Sequence, residues 1–459
     1  MHVSSSPQPI QTAYPVGRPQ PSQDGEAQVL VLGAGLGGLA TALQLSRLGW
    51  RVTIIEKEPP PWNRVGESFD WETPVFLKQL GLDLDRMCDQ DMLTIKPGVT
   101  IWTNTSHRWN EALLLPPPSY MRLLGRNAET YHGNRHRMDQ MLLEMVLAAG
   151  CRLVIQPIRK VHMQGQAVER VELAGGEELR APFYIDASGR ARLVTRPAGA
   201  NYNTQGQKVV SLWQRHRHHY DGKGTRLYLL DQGEHMAWIW NIHVDSQTTD
   251  IGMVLPAAHY RCLAGGNNGG GPAKSKDEVY WEVLQQVELL SEFADQSRSA
   301  GPLRTCSFQN TVADKSGGDN WLAVGESAFI IDPISSGGVT VALRSGKYAA
   351  SILDEALSKG QDSLPERNRR FYQRRLSLQV HFVNSALEDL YRFRRLWDRI
   401  GVPFYVRLLV LPQFHINWLS SNFPLRSRLG LNVLRLFTAL LSGTVRGLLY
   451  TLRTLCRTS

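Results

Sequence analysis

An apolar run, Gln28–Leu32, leads directly into Gly33-Ala-Gly35-Leu-Gly-Gly38, and no other stretch of the chain narrows the choice of fold as much. Three glycines at this spacing ask for a tight turn at Gly33, a close backbone approach at Gly35 and close helix–strand packing at Gly38. Leu39–Leu48 has the apolar spacing of a helix and stops at Gly49. Such a helix presents its N-terminus to any phosphate lying over the turn. Arg51–Glu56 reads as a second strand, and Glu56 ends it at about the 20-residue distance where a carboxylate accepts ribose hydroxyls. Strand, glycine turn, helix, strand is the opening of a parallel α/β sheet, and Gly33, Gly35, Gly38 and Glu56 form its expected dinucleotide site.

The chain changes texture further on. Arg137–Ala149 reads as an amphipathic helix, Cys151–Gln156 and Val168–Leu173 as strands. Lys208–Trp213, Thr225–Leu230, Met236–Val244 and Asp250–Leu255 suggest an antiparallel sheet. Trp321–Val324 is again a buried strand and Gly338–Leu353 a helix. Beyond Leu364 the pattern is helical, broken at Pro403, Pro412 and Pro424. The expected organisation is a disordered tail over 1–26 and a Rossmann-like nucleotide domain from 27–205 and 305–355. A substrate-side β-sheet over 206–304 interrupts it, and a helical region over 356–459 ends the chain.

Five scattered cysteines without a CxxC pair point to neither a disulfide framework nor a zinc site. No run of 18 apolar residues is long enough to span a bilayer. The tail lacks the charge and apolar run of a signal peptide. The expected location is therefore cytoplasmic, with peripheral membrane contact left open by the charge. Of the net +9, much follows Asp398, after which arginines such as Arg426, Arg446 and Arg457 are set among leucines with no acidic residue. Such a surface suits an anionic membrane or an acidic carrier protein; a helical appendage with arginines facing water is the plainer alternative. No nucleic-acid-binding motif accompanies the arginines, so no nucleic-acid partner is expected. Arg215 to His219 forms a histidine-rich patch lacking a nearby carboxylate or cysteine, and it reads as a solvated edge with no metal.

A second set of motifs goes beyond the glycine turn. Arg135-His-Arg-Met-Asp139, Asp186-Ala-Ser-Gly189-Arg190, Trp321-Leu-Ala-Val-Gly-Glu326 and Asp332-Pro333-Ile-Ser-Ser-Gly337-Gly-Val339 together resemble the flavoproteins that include aromatic hydroxylases, flavin-dependent halogenases and geranylgeranyl reductases. The resemblance runs from about Ala27 to Leu353. It implies FAD as cofactor, with Arg64, Arg135, Glu326, Pro333, Gly337 and Val339 added to the glycine turn and Glu56 as cofactor-binding positions. Glu326 departs from the group's usual Asp, which hydrogen-bonds the ribityl chain.

Three further features bear on reaction type. Arg64-Val-Gly66-Glu67-Ser68 resembles the Gly-Glu-Ser segment of halogenases and reductases, and Lys96 follows at about the separation of the halogenase lysine. Lys96 falls between expected elements, where a lysine is ordinarily solvated. In the resemblance it is the catalytic residue, and burial would lower its pKa and yield a neutral amine. Trp238-Ile-Trp240-Asn-Ile242-His243 is similar to the halogenase Trp-x-Trp-x-Ile-Pro signature, with His243 in place of proline. Alternation sets Trp238 and Trp240 on one strand face, as a plain buried sheet also does. The resemblance makes them a substrate-side barrier. The leading expectation is a halogenase acting through a flavin hydroperoxide on an electron-rich aromatic or carrier-bound substrate. Oxygen and halide would be co-substrates, and a separate flavin reductase would supply reduced FAD. The alternatives are a monooxygenase, including one that hydroxylates a peptide-borne tryptophan, and an isoprenoid double-bond reductase.

Overall fold

In the computed structural model, which describes residues 26–62, 64–105, 108–114, 130–232, 235–265, 273–392 and isolated residues between 436 and 451, the glycine turn lies at the centre of a five-stranded sheet. Its order is Trp321–Ala323, Phe183–Asp186, Val29–Leu32, Val52–Glu56, Arg152–Ile155. Every neighbouring pair is parallel. The central strand is buried along its whole length, as a sheet covered on both faces requires. The first helix, Leu36–Arg47, begins three residues earlier than its apolar spacing indicates, because the glycines at its start carry no apolar signal. It packs on the long helix Gly338–Ser358, where Thr41 Oγ1 donates to the Gly346 carbonyl at 3.3 Å. The third nucleotide-side strand ends at Asp186, whose carboxylate accepts from the backbone of Ser188, Val194 and Thr195 and so folds the following turn back on itself.

The second body is an eight-stranded sheet built around Tyr202–Arg217, Thr248–Pro256, His235–His243 and Thr225–Gln232. It draws on more chain than 206–304: Arg304–Ala313 and Phe329–Ile330 extend one side, Val99–Thr105 and Arg108–Leu114 the other. It is also not wholly antiparallel, because Val99–Thr105 runs parallel to Thr225–Gln232. One face carries Leu212, Ala237, Ile239, Ile251 and Met253 and is covered by Val279, Tyr280, Val283 and Leu284 of helix Lys276–Gln285. The opposite face carries Thr225, Trp238, Trp240, Asp250 and Gly252, since directly opposed residues share a face.

A short antiparallel pair, Leu93–Lys96 with Thr130–Gly133, joins the two bodies and has no counterpart among the elements expected from the sequence. The histidine-rich patch is a solvated edge only in part: Arg217 and His219 are exposed, His216 is not. His216 is fully buried, bonds the Tyr280 hydroxyl at 2.9 Å and packs edge-on against Phe293; its ring is a core side chain because Tyr202–Arg217 turns even-numbered residues toward the covering helix. Helix Glu366–Arg392 continues the fold after the nucleotide domain. The tail 1–25 and the arginine-rich stretch 393–435 fall outside the described residues, as do the proline breaks. No described helix is long and apolar enough to cross a membrane.

Candidate active site

The nucleotide end has the shape of a phosphate cradle. Gly33 has φ +110°, and a Cβ there would come within 2.4 Å of the Ala187 carbonyl oxygen. Gly38 is equally closed: a Cβ would lie 2.4 Å from the Gly33 oxygen. Gly35, at the N-cap of the first helix, differs, because nothing approaches its Cβ position closer than 3.8 Å. Two glycines hold the turn shut from behind, and the third leaves space at the helix N-terminus for a pyrophosphate. Glu56 is buried and accepts from the Ala34 amide at 2.9 Å and from Arg64 Nη2 at 3.1 Å. Its carboxylate therefore ties the glycine turn to the end of the second strand. These residues fit FAD.

The arginines divide the work. Arg64 lies over the Trp62 ring at 4.5 Å and lines the open side, held by Glu56. Arg135 is buried and spent on protein: it forks onto both Asp139 oxygens at 2.8 and 2.9 Å and donates to the Val65 carbonyl at 2.9 Å. It clamps the Arg64–Ser68 segment. Glu326 sits in the turn Gly325–Ser327 with its side chain 59% exposed, 3.5 Å from Arg190 Nε. Its carboxylate reaches toward Arg190, which takes up the extra methylene.

The turn Pro333–Ser335 precedes helix Gly338–Ser358, and Ser336 between them has φ +56°. Pro333 and Gly338 are exposed, while Gly337 and Val339 are buried. Asp332 anchors the turn: its amide donates to Asn384 Oδ1, and its carboxylate accepts from Asn310 and Tyr391 at 3.2 and 3.0 Å. The first amides of this helix have no intrahelical partner, which suits an anion.

Lys96 ends the strand Leu93–Lys96, and there the ordinary inside–outside pattern is inverted. Ile95 is 44% exposed and Lys96 only 2%. Nζ donates to Ser68 Oγ at 2.9 Å and to the Phe69 carbonyl at 2.7 Å. Burial lowers its pKa to about 8, against the opposing charge of Asp70. Ser68 also accepts from Ser336 Oγ at 3.0 Å. One hydroxyl therefore ties the lysine to the turn ahead of helix Gly338–Ser358. Thr225 Oγ1, from the face of the large sheet opposite the covering helix, lies 3.2 Å from Ser68 Oγ and 2.7 Å from His132 Nε2.

Trp238 and Trp240 look toward the same space. Their rings are 5.7 Å apart, and Trp240 lies across Gly252, where a Cβ would come within 2.0 Å of the indole. They are buried but belong to the face opposite the covered core, so packing under the helix does not account for them. Trp240 Nε1 is buried with no hydrogen-bond partner among the described residues. Trp238 meets Tyr391, the residue that bonds Asp332. His243, in the signature's proline position, bonds Thr249 Oγ1 at 2.7 Å and faces Asp221.

A family model for tryptophan halogenases matches residues 114–398, more than half of the chain. The chain belongs to the tryptophan halogenase family. A model for FAD-dependent oxidoreductases matches 28–89, which holds the phosphate cradle. Among curated relatives, a 1H-pyrrole-2-carbonyl peptidyl-carrier-protein chlorinase of Pseudomonas fluorescens is 22% identical over 406 residues, covering 83% of this chain and 85% of its own length. The solved flavin-dependent brominase Bmp2 superposes with a TM-score of 0.71 at 19% identity, over 92% of this chain and all of its own. A peptidyl tryptophan dihydroxylase, QhpG, superposes at 0.58 with 23% identity, over 83% and 78%. This halogenase-family chain is thus an FAD-dependent enzyme with a mixed α/β flavoprotein fold. Sequence reasoning named Lys96, the glycine cradle and the tryptophans, and missed Thr225, His132 and the Ser68–Ser336 link. No motif joins those residues: His132 comes with the pairing of Leu93–Lys96 and Thr130–Gly133, Thr225 with the large sheet and Ser336 with the turn before helix Gly338–Ser358.

Proposed function

We propose that this protein is a flavin-dependent halogenase that places halogen on an electron-rich aromatic ring, with the ring presented on a carrier protein. The observation that carries the reading is a lysine turned inward where an isoleucine is turned out, one hydroxyl away from the flavin-side turn. When bound, reduced FAD with oxygen supplies the oxidising chemistry, and the protein supplies placement and electrostatics. Gly33, Gly35, Gly38 and Glu56 hold the adenylate half, with Arg64 on the open side and Glu326 toward the ribityl chain. The turn Pro333 to Val339 flanks the ring position, and its helix N-terminus attracts the halide. Trp238 and Trp240 fill the space between the turn and the aromatic substrate, so halide rather than substrate reaches the oxidant. Lys96 meets the oxidised halogen and directs it to carbon: its ammonium donates a hydrogen bond, and its lowered pKa gives ready access to the neutral amine.

Carrier presentation is supported by the chlorinase relative, whose substrate is a pyrrole on a peptidyl carrier protein, and by the arginine-rich C-terminal sequence, which suits an acidic partner. The hydroxylase reading keeps one point in its favour, the likeness in fold to a peptidyl tryptophan dihydroxylase. Mass spectrometry of products made with reduced FAD, oxygen and bromide separates the two: bromine in the product supports the halogenase, and oxygen insertion indifferent to bromide supports the hydroxylase.

A further inference from the structure

Lys96 is buried with two protein partners among the described residues, and they differ in kind. The Phe69 carbonyl accepts a hydrogen bond but has no proton to pass on. The Ser68 hydroxyl has one. Any proton leaving Lys96 through these contacts therefore leaves through Ser68.

The valences of the groups fix the direction of each hydrogen bond beyond the lysine. Lys96 only donates. Ser68 Oγ accepts from Lys96 Nζ at 2.9 Å and from Ser336 Oγ at 3.0 Å, which uses both lone pairs. Its own hydrogen then points to Thr225 Oγ1, 3.2 Å away. Thr225 in turn gives its hydrogen to His132 Nε2 at 2.7 Å. His132 must accept at Nε2, so its ring is neutral with the hydrogen on Nδ1. All four groups are buried. Lys96 and His132 also share a face of the short strand pair, because Thr94 stands opposite His132 and Lys96 opposite Thr130.

We propose that Ser68, Thr225 and His132 are positioning residues forming a directed proton relay that takes a proton from Lys96, with His132 as the terminal acceptor. This rests on reading Lys96 as the group that meets the oxidised halogen. The step conserves charge: one Lys96 N–H proton passes to Ser68 Oγ, the Ser68 hydrogen to Thr225 Oγ1 and the Thr225 hydrogen to His132 Nε2. Lys96 becomes a neutral amine and His132 an imidazolium. The surroundings make the transfer brief. His132 faces Lys96 on its own strand pair, His243 from the next strand and Arg226 beside Thr225, and with burial these hold its pKa well below the ordinary value. Lys96 faces Asp70, which favours its charged form, and His132. At neutral pH the amine is thus released only transiently.

Two measurements on the FAD-loaded enzyme test the relay. The first is independent of halogenation: long-range nitrogen–proton NMR of 15N-histidine-labelled protein, with His132 assigned by His132→Asn. The proposal predicts the Nδ1–H tautomer for His132; an Nε2–H tautomer reverses the chain and overturns it. The second is the pH profile of brominated product in Thr225→Val, which keeps shape and strand preference but removes the hydroxyl. Product formation should fall about tenfold at pH 7, one unit below the Lys96 value, and recover above pH 9, with flavin content and flavin reoxidation unchanged. Thr225→Ser should restore the wild-type profile. A wild-type profile in Thr225→Val, or an equal loss at every pH in both variants, overturns the relay. If the wild type makes no brominated product the halogenase reading fails, and the tautomer still decides the relay.

Discussion

Gly35 and Gly38 stand three residues apart in one turn, yet their substitution should fail in opposite ways. A Cβ on Gly38 would sit 2.4 Å from the Gly33 oxygen and 2.8 Å from the Ala187 Cβ, both part of the fold itself. Gly38→Ala must push the first helix off its strand, an overpacking cost of about 1–3 kcal/mol borne with or without cofactor. A Cβ on Gly35 meets nothing closer than 3.8 Å, and its φ of −71° and ψ of 167° suit any residue. In the apoprotein, replacing the N-cap glycine by valine costs about 0.5–1 kcal/mol, offset by a similar gain, about 0.4–1 kcal/mol, from the stiffer unfolded chain. The space Gly35→Val fills is where the pyrophosphate approaches the helix amides. Two charge-assisted hydrogen bonds lost at about 1.5–3 kcal/mol each weaken FAD binding by roughly 10²–10⁴-fold. Flavin fluorescence titration and thermal melts of the apoproteins read both effects. Gly35→Val should melt near wild type and bind FAD poorly; Gly38→Ala should melt low. A Gly35→Val protein that binds FAD within tenfold of wild type would refute the placement of the phosphates.

Other consequences are open to test. His216 and His243 have pKa values pushed by burial from 6.5 to about 4 and about 3. Between these values and 6.5 the unfolded chain binds more protons, so stability is complete above pH 6.5 and drains as pH falls below it; His216→Gln, which cannot charge, should flatten that decline in a melting series. Gly252→Ala should drive the Trp240 indole off its seat and change tryptophan emission and substrate turnover while leaving FAD affinity alone; unchanged emission and turnover would remove Trp240 from the substrate side. Truncation after Pro424 should spare FAD binding and lower turnover of a carrier-bound aromatic more than that of the free ring, and equal turnover by both forms would reject a carrier contact there.

The nucleotide end was legible because its chemistry is local. A glycine turn and the carboxylate ending the next strand declare themselves by spacing, and both strands and the helix between them fall within a few residues of their expected bounds. The large sheet was legible in its four central strands, where alternation is strong, but not at its margins. Val99–Thr105 lies some 120 residues from the strand it pairs with, and no local pattern reports such a pairing. Lys96 shows the same limit from the other side. Its place after Gly66-Glu67-Ser68 was visible, whereas its burial depends on a strand pair closed by Thr130–Gly133. His216 misled for a related reason: histidines and arginines in one stretch look solvated until the strand's alternation is tied to the helix that covers it.

The most direct test of the central claim is one mass spectrum set beside its control. Enzyme supplied with reduced FAD, oxygen, bromide and an electron-rich aromatic, free and carrier-bound, should give product bearing the bromine isotope pair. Lys96→Ala should give none while still reoxidising flavin. A product carrying added oxygen and indifferent to bromide would contradict the halogenase assignment, and brominated product at wild-type yield from Lys96→Ala would remove the lysine from the mechanism.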